Sequence, residues 1–196
     1  MTRLRLLLPA LLLGWLAGCA SLAGPPATRY ALPEPPAAAA PSGAEAQRVL
    51  TLRPLRLAAF LDVEGIVVQL DDITVHEASG HRWAEPLGRQ LERGLRDRLA
   101  AALPATRVRL ADEDGAAGDL SLRLAVERFQ GRPDGHALVA GRWQLRDARD
   151  TLLAAAPFRV ATPLARDGYP ALVRALGRSW DAVARELAEA LRRHAE

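Results

Sequence analysis

The chain opens with a basic and then apolar segment that ends in Leu16-Ala17-Gly18-Cys19. A positive start, a short apolar run and small residues before a cleavage point are typical of a secretory signal. The apolar run is too short to cross a bilayer, which takes about 20 residues. A thiol at this place can receive a diacylglycerol by thioether formation, and the freed α-amine can receive a further acyl chain. We therefore predict a signal peptide over 1–18 and a mature chain that begins at a lipidated Cys19.

The single cysteine also limits how the folded part can be stabilised. Cys19 is the only cysteine of the chain, so no disulfide is available once it carries lipid. A hydrophobic core must therefore hold the domain together. The hydrophobic content of 49% is ordinary for a folded protein, and the length of 196 residues suits one domain after the signal.

Leu16, Ala17, Gly18 and Cys19 together resemble the lipobox of bacterial lipoproteins. Two or more acyl chains give stable membrane attachment, whereas one anchors only marginally. Ala20 follows the cysteine in place of Asp, a pattern similar to lipoproteins that are released to the outer membrane. We expect the protein at the periplasmic face of the outer membrane, held by its lipid. The alternative is an ordinary signal peptide with a chance cysteine.

The charge balance gives no reason to expect nucleic-acid binding. The chain has 26 basic and 23 acidic residues, and two of the basic ones, Arg3 and Arg5, lie in the signal. Every basic residue is arginine, which is typical of a GC-rich coding background. No basic cluster is denser than a salt-bridged helix face, so a nucleic-acid partner is not expected.

Residues 19–48 are rich in Ala, Pro and Gly and cannot bury much surface, which predicts a tether that carries the lipidated cysteine. Residues 29–32 interrupt this composition and fit a short edge strand that docks on the domain. The folded domain is predicted over 49–196.

Residue periodicity predicts the elements of that domain. We expect strands over 49–61, 66–70 and 73–76, a turn at Ser79-Gly80, a helix over 82–102, a strand over 106–110, a meander within 120–161 and a helix over 169–193. An amphipathic helix needs an apolar surface to cover. The prediction is therefore an α+β fold, with a mostly antiparallel sheet and two amphipathic helices packed on one face.

The sequence contains no strong motif for metal binding or for nucleophilic catalysis. His76 and His81 have the wrong spacing for a zinc helix, and we interpret them as solvated loop residues, so no metal is expected. No Gly-x-Ser-x-Gly elbow is present, and the only thiol is Cys19. We expect no catalytic residue and no cofactor beyond the covalent lipid. Trp83 has two open interpretations, either capping the edge of the core or presenting an anchor to a partner.

Several motifs together resemble the PqiC-type auxiliary lipoproteins of ABC transport systems. They are the lipobox, Tyr30-Ala31-Leu32, Leu61-Asp62 leading to Gly65-Ile66-Val67-Val68, and Arg82-Trp83-Ala84-Glu85-Pro86-Leu87 before a leucine-spaced helix. Arg82, Trp83, Glu85, Pro86 and Leu87 form the signature of this resemblance, and either a structural or a partner-facing role is open. The family has no established active-site residues.

The resemblance implies a non-enzymatic accessory subunit of an MCE/ABC-type lipid transport system that maintains envelope integrity. Its implied partner is a membrane-spanning MCE-domain protein, with the subunit itself acting as a homo-oligomer. One alternative is an outer-membrane assembly or pilot lipoprotein for a lipopolysaccharide or secretin complex. Another is a periplasmic enzyme, which would need a pocket with converging polar groups. Neighbouring genes would separate the first two.

Overall fold

The computed structural model describes residues 26–35, 48–113 and 118–194. The predicted signal peptide, Leu16, Ala17, Gly18 and Cys19 lie outside the described residues. The elements in chain order are β1 (Thr28–Tyr30), β2 (Arg48–Leu52), β3 (Arg56–Leu57), β4 (Gly65–Gln69), β5 (Val75–Trp83), α1 (Leu87–Ala102), β6 (Thr106–Leu110), β7 (Leu120–Gly131), β8 (His136–Asp147), β9 (Leu152–Pro163) and α2 (Tyr169–Arg193). No helix within these ranges is long and apolar enough to span a membrane.

The three longest strands, β7, β8 and β9, form the predicted antiparallel meander. Leu122, Leu124 and Val126 alternate along β7 and point into the core. The pairing with β8 then shifts between Val126 and Arg128, as at a β-bulge. A bulge inserts one residue and changes which side chains face inward, so Phe129 is also buried.

Short strands line the other edge of β7 and make the sheet mixed. β2, β3 and β4 pair with β7 one after another, all in parallel. Pro54 lies in the break between β2 and β3, because proline cannot donate a ladder hydrogen bond. β6 extends this side beyond β2, while β5 and then β1 extend it beyond β4. The predicted α+β class is confirmed, with an antiparallel meander and a parallel set of shorter strands.

The predicted turn at Ser79-Gly80 is wrong. Both residues lie within β5, which pairs with β4 on one side and β1 on the other. The two residues lie at a register shift in the pairing of β5 with β4, between the pairs Val67–Glu77 and Gly65–Arg82, so the local turn signal marks an irregularity within the strand. α1 accordingly begins at Leu87 rather than at residue 82, since Pro86 has a non-helical ψ of 128° and disfavours a helical residue before it.

Both helices bury the apolar stripes that their spacing predicts. The buried leucines of α1 recur every four residues, and the buried side chains of α2 include Leu172, Leu176, Trp180, Val183, Leu187 and Leu191. The two helices join the sheet in one hydrophobic core. The indole Nε1 of Trp180 donates a hydrogen bond of 3.3 Å to the Leu91 carbonyl, which links the helices at the centre of that core.

Candidate functional site

The signature stretch of the sequence forms the connection from β5 to α1. Arg82 donates to the Glu64 carboxylate at 3.0 Å and to the Ser79 carbonyl at 3.2 Å. Trp83 is only 3% exposed, and its ring centroid lies 6.1 Å from that of Phe129. The structure therefore places Trp83 in the core, where its indole is not available as an anchor for a partner.

The rest of the signature fixes the start of α1. The Arg93 guanidinium donates to the Glu85 carboxylate, and this hydrogen bond lowers the pKa of Glu85. Gln90 Nε2 donates to the Glu85 carbonyl at 3.0 Å. Pro86 is the N-cap residue of α1, and Leu87 is buried in the core. These contacts fix Glu85 and Pro86 against the start of α1.

The same connection receives the N-terminal segment of the described chain. β1 pairs in parallel with the end of β5, so that Tyr30 lies opposite Trp83. Ala84 N donates to the Tyr30 carbonyl at 2.8 Å, and Leu32 N donates to Gln90 Oε1 at 2.8 Å. The short edge strand expected around residues 29–32 is confirmed in type, and it docks on the signature stretch.

Aromatic contacts strengthen this docking. The Tyr30 hydroxyl and His81 Nδ1 are 2.9 Å apart, and the His81 ring stacks on Tyr169 with centroids 3.9 Å apart. The loop interpretation of His76 and His81 is wrong, because both lie in β5. His76 pairs with Val68, whereas His81 lies beyond a register shift and contacts Tyr30 and Tyr169, so the two do not converge on one ligand.

Arg98 ties the N-terminal segment to both helices. It is 7% exposed, and its Nη2 donates to the Pro33 carbonyl at 3.0 Å. Its Nε donates to Asp181 Oδ1 of α2 at 2.6 Å, and its Nη1 donates to the Gly94 carbonyl. A side chain at Gly177 would come within 2.9 Å of Pro33, so glycine is needed there for the close approach.

We name residues 28–33, together with the residues that hold them, the N-terminal clamp. The holding residues are Trp83, Ala84, Gln90, Arg98 and Gly177. Within the clamp, β1 pairs with Arg82 and Trp83 of the signature, and its backbone bonds to Ala84 and Gln90 on either side of the remaining signature residues. Sequence reasoning missed Arg98. The available signal was an arginine placed between Leu95 and Leu99 on the apolar stripe of α1, where a charge needs a buried partner.

Comparisons with known proteins agree with this architecture. Residues 30–188 match the family model described as the ABC-type transport auxiliary lipoprotein component. The chain is 31% identical over 179 residues to the intermembrane transport lipoprotein PqiC of Escherichia coli K12, covering 91% of this chain and 93% of that protein. The match therefore spans nearly the whole of both sequences.

Solved structures show the same fold. A crystal structure of an uncharacterized protein has a TM-score of 0.74 and 26% identity, covering 85% of this chain and 99% of the other. A second crystal structure, of a Xanthomonas campestris protein, has a TM-score of 0.68 and 21% identity, covering 83% and 93%. The sequence match and the shared fold show that this chain belongs to the family of ABC-type transport auxiliary lipoprotein components.

Proposed function

We propose that this chain is a non-enzymatic accessory subunit of an MCE/ABC-type lipid transport system, anchored by Cys19 at the periplasmic face of the outer membrane. Family membership across most of the chain carries the proposal. The Escherichia coli relative is itself described as an intermembrane transport lipoprotein. The lipobox at Leu16 to Cys19 supports the anchor, and Ala20 supports release to the outer membrane.

The N-terminal clamp sets how far the domain stands from its anchor. The nine residue steps from Cys19 to Thr28 reach at most about 30 Å when fully extended. Residues 36–47 add nothing to this reach, since Pro33 before them and Arg48 after them are both held on the domain. The proposed subunit therefore works close to the outer membrane and meets a partner that crosses the periplasm.

Affinity purification of the full lipidated chain tests the proposed partnership. A tagged chain is extracted from membranes with mild detergent, and the recovered proteins are identified by mass spectrometry. We expect an MCE-domain membrane protein with ABC transporter subunits, and neither with a tagged unrelated outer-membrane lipoprotein. Recovery of a lipopolysaccharide or secretin complex in their place would contradict the proposal, as would recovery of no MCE-domain protein under conditions that preserve known envelope complexes.

Two matched insertions test the reach that the clamp imposes. A Gly/Ser insert of about ten residues between residues 22 and 23 adds up to about 30 Å of contour between anchor and clamp. The same insert between residues 39 and 40 lies after the clamp and adds none. A dye is attached through Ala155→Cys, at an exposed site of β9, and a second dye is placed in the membrane of proteoliposomes. We expect energy transfer between the two dyes to fall only for the first insert. An equal fall for both inserts would show that the clamp does not hold.

A further inference from the structure

The face of the sheet opposite the helices carries an open cleft. Leu122, Leu124 and Trp143 point into the core, so Arg123 of β7 and Arg142 of β8 project from the outer face, since side chains alternate along a strand. Residues 53–56, which run from the end of β2 into β3, lie beside β7 and line the other side of the cleft; we call them the second wall. The cleft has a volume of about 770 Å³, which lies in the range of small-molecule sites.

Arginine dominates the lining of this cleft. Arg53 and Arg56 come from the second wall, and Arg123 and Arg142 come from the sheet. No carboxylate is among the lining residues that the structure describes. We name these four residues the arginine cleft.

Nearby carboxylates neutralise only part of this charge. Arg142 donates to Glu127 at 2.9 Å, and Arg123 donates to Asp150 at 2.7 Å. Asp150 also lies 3.7 Å from Arg146, so one carboxylate serves two guanidinium groups.

The remaining positive charge of the cleft comes from Arg53 and Arg56. Glu92 faces the second wall from α1, but its carboxylate accepts the Leu55 N–H at 2.7 Å. The guanidinium groups of Arg53 and Arg56 make no ion pair with any part of the chain that the structure describes. Two unneutralised guanidinium groups therefore face one concave site.

We propose that the arginine cleft binds a phosphate group. A guanidinium group presents paired N–H donors that match the oxygens of a phosphate, and such charge-assisted hydrogen bonds are roughly twice as strong as neutral ones. An anion in the cleft would also offset the charge of the two unneutralised guanidinium groups, Arg53 and Arg56. The phosphate belongs either to a phospholipid headgroup or to a free phosphate ester. The headgroup case rests on the proposed lipid-transport function, whereas the phosphate site itself does not.

Calorimetric titration of the full lipidated chain in non-ionic detergent tests the site. The probes are glycerol 3-phosphate, dihexanoyl-phosphatidylglycerol and, as a phosphate-free control, dihexanoylglycerol. We expect dihexanoyl-phosphatidylglycerol to bind, either alone or together with glycerol 3-phosphate. Dihexanoylglycerol should not bind. The double variant Arg53→Gln/Arg56→Gln should lower the affinity by at least about tenfold, because each charged hydrogen bond contributes roughly that factor or more. The matched variant Arg107→Gln/Arg159→Gln removes two exposed arginines of β6 and β9 outside the cleft and should leave the affinity within about twofold.

The relative affinities of the two phosphate probes identify the source of the phosphate. Phosphatidylglycerol binding at least about tenfold tighter than glycerol 3-phosphate identifies a lipid headgroup as the source, and equal affinities identify the phosphate ester alone. Failure of both phosphate probes to bind the wild-type chain would overturn the site, and so would an equal loss in the two double variants. The measurement contains no transporter protein, so its failure leaves the proposed partnership standing, and failure of the purification leaves the site standing.

Discussion

Leu91→Asp is expected to unfold the domain under conditions in which the wild-type chain is folded. Leu91 is 0% exposed and lies in α1 against Trp180, whose indole bonds to the Leu91 carbonyl. A carboxylate there would be buried without a partner, at a cost of several kcal/mol. The whole stability of such a domain is about 5–15 kcal/mol. Thermal unfolding followed by circular dichroism should show a lost or strongly lowered transition.

Ala100→Asp is the matched control for this substitution. Ala100 lies on the same helix but is exposed, so its carboxylate would remain in water. We expect a loss of no more than about 1 kcal/mol, part of it from placing a negative charge near a helix C-terminus. A Leu91→Asp transition at the wild-type temperature would show that this face of α1 is not packed as described.

Cys19→Ser is expected to abolish lipid attachment completely. A serine hydroxyl offers no thiol for thioether formation, so the chain should remain as an unprocessed or mislocalised precursor. Metabolic labelling with palmitate and membrane fractionation measure both consequences. Ser21→Ala, two residues away, keeps the thiol and should be labelled like the wild type. Equal labelling of Cys19→Ser would mean that the acyl chain is attached elsewhere.

The meander and α2 could be predicted from sequence because their patterns are long and regular. Leu122, Leu124 and Val126 recur with the two-residue period of a strand. The apolar residues over 169–193 recur with the period of about 3.6 residues of a helix. Each pattern extends over enough residues to outweigh local exceptions. The bounds of α2 accordingly agree with the prediction.

Residues whose structure depends on distant partners could not be predicted in the same way. Ser79 and Gly80 favour a turn locally, but β5 continues through them, since β4 pairs with it on both sides of a register shift. Arg98 bonds to Pro33 and Asp181, which are 65 and 83 residues away in sequence. A single sequence carries no record of such pairs, so the docking of residues 29–32 could be predicted but the residues that hold them could not.

The clamp also changes the interpretation of the signature residues. From sequence, Arg82, Trp83, Glu85, Pro86 and Leu87 were open to either a structural or a partner-facing role. Within the described chain, Trp83 and Leu87 are buried in the core, and Arg82 and Glu85 bond to neighbouring residues. A partner-facing role for the clamp would have to use the backbone of β1 or the exposed parts of Arg29 and Arg82.

We propose that an acylated N-terminus holds this domain beside the outer membrane. Mass spectrometry of the N-terminal peptide, taken from full chain extracted from outer membranes, tests it most directly. We expect a peptide that begins at Cys19 and carries a diacylglyceryl group and a further acyl chain. An intact, unmodified peptide beginning at Met1, recovered from the cytosolic fraction, would contradict it.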